Sequence, residues 1–367
     1  MTSISQPAAN PAVASHETAT THKEEPVWCI RRLASRLQAL HRRREPKRVF
    51  APLPQTSQER RDVSLTEQPL RADTLSRSVI QNAEEKGKTV LYLAYGSNLC
   101  NETFRGARGI KPLSQINVLV PSLRLTFDLP GVPYTEPCFA NSAVRDPSPS
   151  ATPSSTSRRG RRRRPRYHKD RWHKGMVGCV YEVTASDYAH IIATEGGGAS
   201  YEDILVDCYP LPPAADTVPT HPTTQPFKAH TLFAPVNPPT ASSTSRFHRP
   251  DPSYAQPSAR YLKLLTDGAA ELNLPTEYRE YLDDIRPYTI TSRRQMVGKT
   301  LFLTLWMPFV LFLLQLGKRV ADEHGRMPGW LGVVMGWLFR GMWVCYDVGF
   351  KGVFGDGERT EGLDDDE

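Results

Sequence analysis

Between Thr89 and Pro287 the chain carries short apolar runs broken by turn residues, a pattern that favours strands over long helices. Thr89–Tyr95 is rich in β-formers and stops at Gly96-Ser97-Asn98, which predicts a first strand ending in a tight turn. Leu119–Phe127 alternates and predicts a second strand, Phe139–Val144 a third and Gly175–Val183 a fourth. The period then changes. Tyr188, Ile191 and Ile192 share one face of Thr184–Thr194, and Thr184 or Ser186 can cap its start, so a short helix is expected before Glu195-Gly196-Gly197-Gly198. Tyr201–Pro210 and Lys228–Ala234 return to extended spacing. Ser258–Asp284 predicts a helix pair, with Tyr261, Leu264 and Leu265 in the first member and Pro275 opening the second. This order predicts an α+β domain, a mixed or antiparallel sheet curled into a small β-barrel with short flanking helices.

Other patterns lie outside that core. Residues 1–87 read as a mostly disordered tail with no firm element from Glu45 to Lys86. Within it, Trp28, Ile30, Leu33, Leu37 and Leu40 have helical spacing among arginines, a short basic amphipathic helix. Two polar insertions, at about 146–171 and 212–225, interrupt the domain expected over 88–290 and read as disordered; a further loop is expected over Pro235–Pro257. Beyond the domain, 296–350 is an apolar, membrane-associating region and 351–367 an acidic tail. Leu301–Leu316 is nearly all apolar, and as a helix it reaches about 24 Å, short of a hydrocarbon core of about 30 Å. Pro308 would kink it. Gly329–Phe350 carries Trp330, Trp337 and Trp343 but also Arg340, so it is expected at headgroup depth, not across the core.

Composition narrows the reading. The 32 prolines crowd into the tail and the insertions, leaving apolar surface for one globular domain. The net charge of +7 invites a nucleic-acid partner. However, the excess sits in Arg158–Lys174, where one acid, Asp170, faces a run of Arg and Lys, and the rest of the chain is close to neutral. A basic face spread over a folded surface is therefore not indicated, and the run reads as a solvated loop, with a targeting signal or an RNA or acidic-lipid patch as the sharper alternative. The six cysteines form neither C-x-x-C pairs nor zinc spacing, and several lie in apolar runs, as buried reduced thiols of a cytosolic domain do. The N-terminus is polar and reads as lacking a secretory signal.

Two segments carry chemistry. In Tyr92-Leu-Ala-Tyr95-Gly96-Ser97-Asn98-Leu99 a strand delivers a turn whose Gly lets backbone approach a ligand, whose side chains donate, and whose successive amides can cradle a carboxylate. In Thr194-Glu195-Gly196-Gly197-Gly198 an acid precedes three glycines. Alone, each also fits an ordinary turn. Together, with Gly175–Tyr181, Pro257–Tyr261 through Gly268-Ala269 and Leu274-Pro275-Thr276-Glu277-Tyr278, they resemble the γ-glutamylcyclotransferases in order and over about 200 residues.

The resemblance implies the family's small barrel, a lyase reaction forming 5-oxoproline, and no metal or nucleotide cofactor, for which no motif is visible. Glu195 falls where the family keeps its catalytic acid/base. Tyr95, Gly96, Ser97, Asn98 and Leu99 match its substrate loop, and Tyr201 is a candidate hydrogen-bonding partner. Branches specific for glutathione carry Tyr-Gly-Ser-Leu and the γ-glutamylamine branch Tyr-Gly-Thr-Leu; Asn98 is similar to the branch acting on γ-glutamyl amino acids. Glu202 and Asp203 are rival bases, assigned surface roles by their place in the following strand. The resemblance thus implies a small γ-glutamyl substrate, while the apolar run itself predicts membrane contact through 301–350 and the cysteine usage a cytosolic catalytic domain. A catalytically silent carboxylate-binding module or a membrane adaptor are the alternatives, and the presence of Glu195 favours the enzyme.

Overall fold

The computed structural model describes residues 49–70, 83, 87–145, 172–194, 202–233, 255–320 and 328–362. The basic helix around Trp28 and the Arg-rich insertion up to Arg171 lie outside them.

The centre is a closed barrel of five strands. β1 (Thr89–Ala94) pairs antiparallel with β5 (Met176–Thr184), and β5 pairs antiparallel with β2 (Ser114–Val120). β2 continues to β6 (Glu202–Pro210), β6 to β7 (Phe227–Phe233), and β7 closes on β1 in parallel at Tyr92 and His230. The near-continuous apolar run of β5 follows from burial on both faces. Gly178 is required there: a Cβ on it would lie 2.5 Å from the Ala94 carbonyl oxygen, so only glycine lets β1 and β5 close up. β3 (Leu123–Val132) and β4 (Glu136–Val144) form a separate two-stranded sheet.

The helices flank this frame. α1 (Gln58–Ser64) precedes the barrel, and α2 (Ala185–Thr194) begins where the Thr184 hydroxyl accepts the Asp187 amide at 3.0 Å. α3 (Ala259–Glu271) is capped by Ser258, which accepts the Tyr261 amide, and α4 (Thr276–Asp283) follows Pro275. α5 (Arg293–Val320) runs through Pro308 without a break, and α6 (Gly329–Cys345) follows.

Four expectations change. Leu119–Phe127 is not one strand: Pro121 and Ser122 form a turn between β2 and β3, because proline has no amide for the ladder. Residues 50–70 are not a loose tail. Gln55 bridges Gln115, and buried Thr56 and Ser64 hold this strap to the barrel through Ser114 and the Lys228 amide. Residues 212–225 are not a disordered insertion either. Their Val218 is buried, and they cap α4: the Glu277 amide donates to Asp216 and the Glu277 carboxylate accepts the Val218 amide and Lys174. Finally, 351–362 is no free acidic tail. Asp356 and Glu358 are buried, the Tyr134 amide donates to the Gly357 carbonyl, and the Gln256 amide donates to the Glu358 carbonyl. A second core joins this end to the β3–β4 turn, with Trp343 donating its indole N–H to the Gly131 carbonyl at 3.0 Å.

Candidate active site

The turn after β1 sits at one end of the barrel and opens a cavity of about 40 Å³. Tyr92, Tyr95, Gly96, Ser97 and Asn98 line one side; Ala140 of β4, Thr231 and Leu232 of β7, and Tyr261 of α3 line the other. Among the described residues this lining carries hydroxyls and an amide but no charged side chain.

Each group is placed by a specific contact. Ser97–Leu99 forms a single 3₁₀ turn, in which the Leu99 amide donates to the Gly96 carbonyl at 3.0 Å. Leu99 itself is fully buried, so it closes the turn instead of facing the cavity. Asn98 is buried and donates from Nδ2 to the Tyr92 hydroxyl at 2.8 Å. Tyr95 donates to the Leu232 carbonyl, and Thr231 to the Leu93 carbonyl. The Tyr261 hydroxyl accepts the Ala140 amide at 3.1 Å and lies 3.4 Å from where a Gly96 Cβ would stand. Any side chain at Gly96 longer than a methyl would enter the cavity. Behind the turn, α3 packs without a gap: a Cβ on Gly268 would lie 2.5 Å from the Cys100 amide nitrogen, and Glu271 accepts the Asn101 amide.

Glu195 and Tyr201 lie outside the described residues. Their flanks do not: Thr194 ends α2 and Glu202 starts β6. Across those flanks runs a buried polar cluster. Asp203 accepts the Tyr188 hydroxyl and, at 2.9 Å, the Nδ1–H of His230; their side chains are 3% and 2% exposed for Asp203 and His230. Asp203 is thus not a surface acid. Burial alone would lower the His230 pKa, but hydrogen bonds to Asp203 and Glu67 outweigh it and raise it to about 9, so the imidazolium donates from both nitrogens. Burial, then the Asp203 charge, pushes the Tyr188 phenol well up, keeping it a donor. The Tyr188 ring stands against Tyr92, so the cluster abuts the cavity wall.

The sequence reading named four of the lining residues, Tyr95 to Asn98, and missed the roles of Tyr92, Thr231 and His230. The register of β7 beside β1, which brings His230 level with Tyr92, carries no short-range signal.

Residues 292–353 match the family described as the AclK C-terminal domain. Gamma-glutamyl cyclotransferase gliK of Aspergillus fumigatus is 31% identical over 270 residues, covering 73% of this chain and 89% of the relative. Gamma-glutamyl cyclotransferase aclK of Aspergillus oryzae is 31% identical over 283 residues, covering 75% and 92%. A solved gamma-glutamyl cyclotransferase structure superposes with a TM-score of 0.36 at 20% identity, over 56% of this chain and 93% of that one.

Proposed function

Because the chain belongs to the gamma-glutamyl cyclotransferase family, we propose that it converts γ-glutamyl amino acids and peptides to 5-oxoproline and a free amine, with Glu195 as general acid/base. The observation that carries this reading is the cavity behind Tyr95-Gly96-Ser97-Asn98, uncharged and rich in hydrogen-bonding groups, at the barrel end where α2 runs toward Glu195.

In the proposed reaction the substrate's α-amine attacks its own γ-carbonyl. A C–N bond forms to close the five-membered lactam, the original amide C–N bond breaks, and no water is consumed. Tethering supplies the orientation. Proton transfer is the obstacle: moving a proton from an α-ammonium to an ordinary Glu is uphill by roughly 5 kcal/mol. A Glu195 carboxyl desolvated at the site reduces that gap, takes the ammonium proton and returns it to the departing amine. The Gly96 to Asn98 backbone would hold the α-carboxylate or the developing oxyanion, with Leu99 spent on closing the turn. Tyr95 and Tyr201 would orient the substrate. Asn98 favours γ-glutamyl amino acids over glutathione.

The test uses the full chain, following 5-oxoproline from γ-glutamyl-alanine and from glutathione. Glu195→Gln should abolish turnover with an unchanged circular dichroism spectrum. Near-normal turnover by that variant would remove Glu195 from the mechanism.

We further infer that the C-terminal region holds the enzyme at a membrane with the barrel on the cytosolic side. Support comes from Arg293–Gly317, long and apolar enough to cross a bilayer. Quantitative release of the full chain by alkaline carbonate would end this reading.

A further inference from the structure

We infer that α5 and α6 enter the bilayer together, as a hairpin whose outer faces both lie in hydrocarbon. This rests on the membrane reading above and replaces the expectation that the second segment stays among the headgroups.

The exposed positions decide it. On α5, Phe302, Trp306, Val310 and Leu313 fall within an arc of about 80° at 100° per residue, and Phe302, Val310 and Leu313 are buried. Leu301, Leu305, Phe309, Leu311, Phe312 and Leu314 spread over roughly 220° of the same helix, and all are exposed. The only polar residues on that arc between Thr300 and Gly317 are Thr304 and Gln315, neither charged. α6 repeats the arrangement. Leu331, Met342 and Trp343 are buried, while Trp330, Val333, Val334, Trp337 and Val344 are exposed.

A docking stripe for a protein partner needs an apolar arc of about 100°. A second copy seated on such a stripe would leave most of these side chains in water. Apolar surface on every side that does not face the other helix is the pattern of a helix surrounded by lipid.

The charges agree with that occupant. Arg293, Arg294 and Lys299 precede the apolar stretch of α5, Lys318 and Arg319 end it, and Gly329–Phe339 has none. Arg340 is exposed near the end of α6 that packs on the β3–β4 hairpin: Phe339, Met342 and Trp343 join Tyr134 there, and Trp343 is tied to Gly131. From that end a long guanidinium stem reaches the near headgroups. The start of α5 is fixed to the same side, since Gln295 donates to the Asp356 carbonyl. Both ends of the hairpin therefore return to one domain.

The experiment mixes the full chain with phosphatidylcholine–phosphatidylserine vesicles containing a phosphatidylcholine with a diazirine on its acyl chain. After irradiation, adducts are mapped by mass spectrometry. Adducts are expected on both Leu305–Leu314 and Trp330–Trp337. Phe312→Glu and Trp337→Glu, at side chains 63% and 68% exposed, should each lower vesicle flotation about tenfold with the same unfolding temperature in detergent. Adducts confined to α5, with flotation untouched by Trp337→Glu, would overturn the hairpin and leave membrane attachment standing. No adducts on either helix, with a discrete dimer in buffer, would overturn both and hand these faces to a second copy.

Discussion

His230 and Asp203 form a buried ion pair, Nδ1 to Oδ2 at 2.9 Å, with His230 level with Tyr92, the tyrosine that supports the Gly96–Asn98 turn. The His230 pKa is raised from about 6.5 unfolded to about 9 folded. A raised pKa means that the folded state holds the proton more tightly. The pair's contribution is therefore fully present below about pH 6.5, declines through the interval, and is gone above about pH 9. Its size is on the order of 3 kcal/mol. Thermal unfolding of the wild type should fall from pH 6.5 to pH 9, and His230→Gln should flatten that slope. Asp203→Asn, which strips a buried cation of its nearest partner, should lose about 3–5 kcal/mol at pH 7. A wild-type midpoint constant across the interval would contradict the charged assignment.

Tyr92 and Asn98 link the barrel wall to the turn by one hydrogen bond of 2.8 Å. Tyr92→Phe removes the acceptor and keeps the ring that packs on Phe104 and Tyr188. The stability loss should be about 1 kcal/mol. Asn98 then has a less defined position, so KM for γ-glutamyl-alanine should rise several-fold while kcat changes less. Steady-state kinetics beside a urea titration separate the two effects.

Gly268 is where α3 meets the turn. A methyl there would stand 2.5 Å from both the Cys100 nitrogen and the Leu99 carbonyl carbon, backbone atoms that cannot rotate away. Gly268→Ala should destabilise by about 1–3 kcal/mol and displace Ser97–Cys100. Turnover should fall more than the change in folded fraction explains. Wild-type kinetics in a variant of unchanged stability would mean that α3 does not set the turn.

What was legible in the chain was local. The β-formers of β1 before Gly96, the apolar run of β5, and the cap at Thr184 are signals within a few residues of the structure they specify. So was the turn, because it needs glycine and small donors side by side. The rest depended on partners distant in sequence. The alternation of Leu119–Phe127 continues across Pro121-Ser122, so period alone did not divide it. An acid in a strand defaults to solvent, and Asp203 is internal only because Tyr188, His230 and the Leu70 amide converge on it. Gln58–Ser64 has a single apolar residue, Val63, which is exposed, and the helix holds its place by ion pairs and hydrogen bonds to the barrel, not by an apolar face.

That strap sets where the catalytic unit begins. Arg60 donates from Nε to the Thr89 hydroxyl at 2.7 Å and from Nη2 to the Thr89 carbonyl at 2.8 Å, at the start of β1. It also pairs with Glu67 at 2.8 Å, and Glu67 accepts the Nε2–H of His230. A chain starting at residue 88 loses all of these and strips His230 of one of its two carboxylates, while a chain starting at residue 50 keeps them. Removing one partner of a buried charge is worth about 3–5 kcal/mol. The shorter chain should therefore unfold well below the longer one, and the gap should narrow above pH 9, where His230 is neutral in both. Glu67→Gln in the full chain should reproduce part of the gap with the same pH dependence. Equal midpoints for the two truncated chains would show that the barrel is complete without residues 50–70.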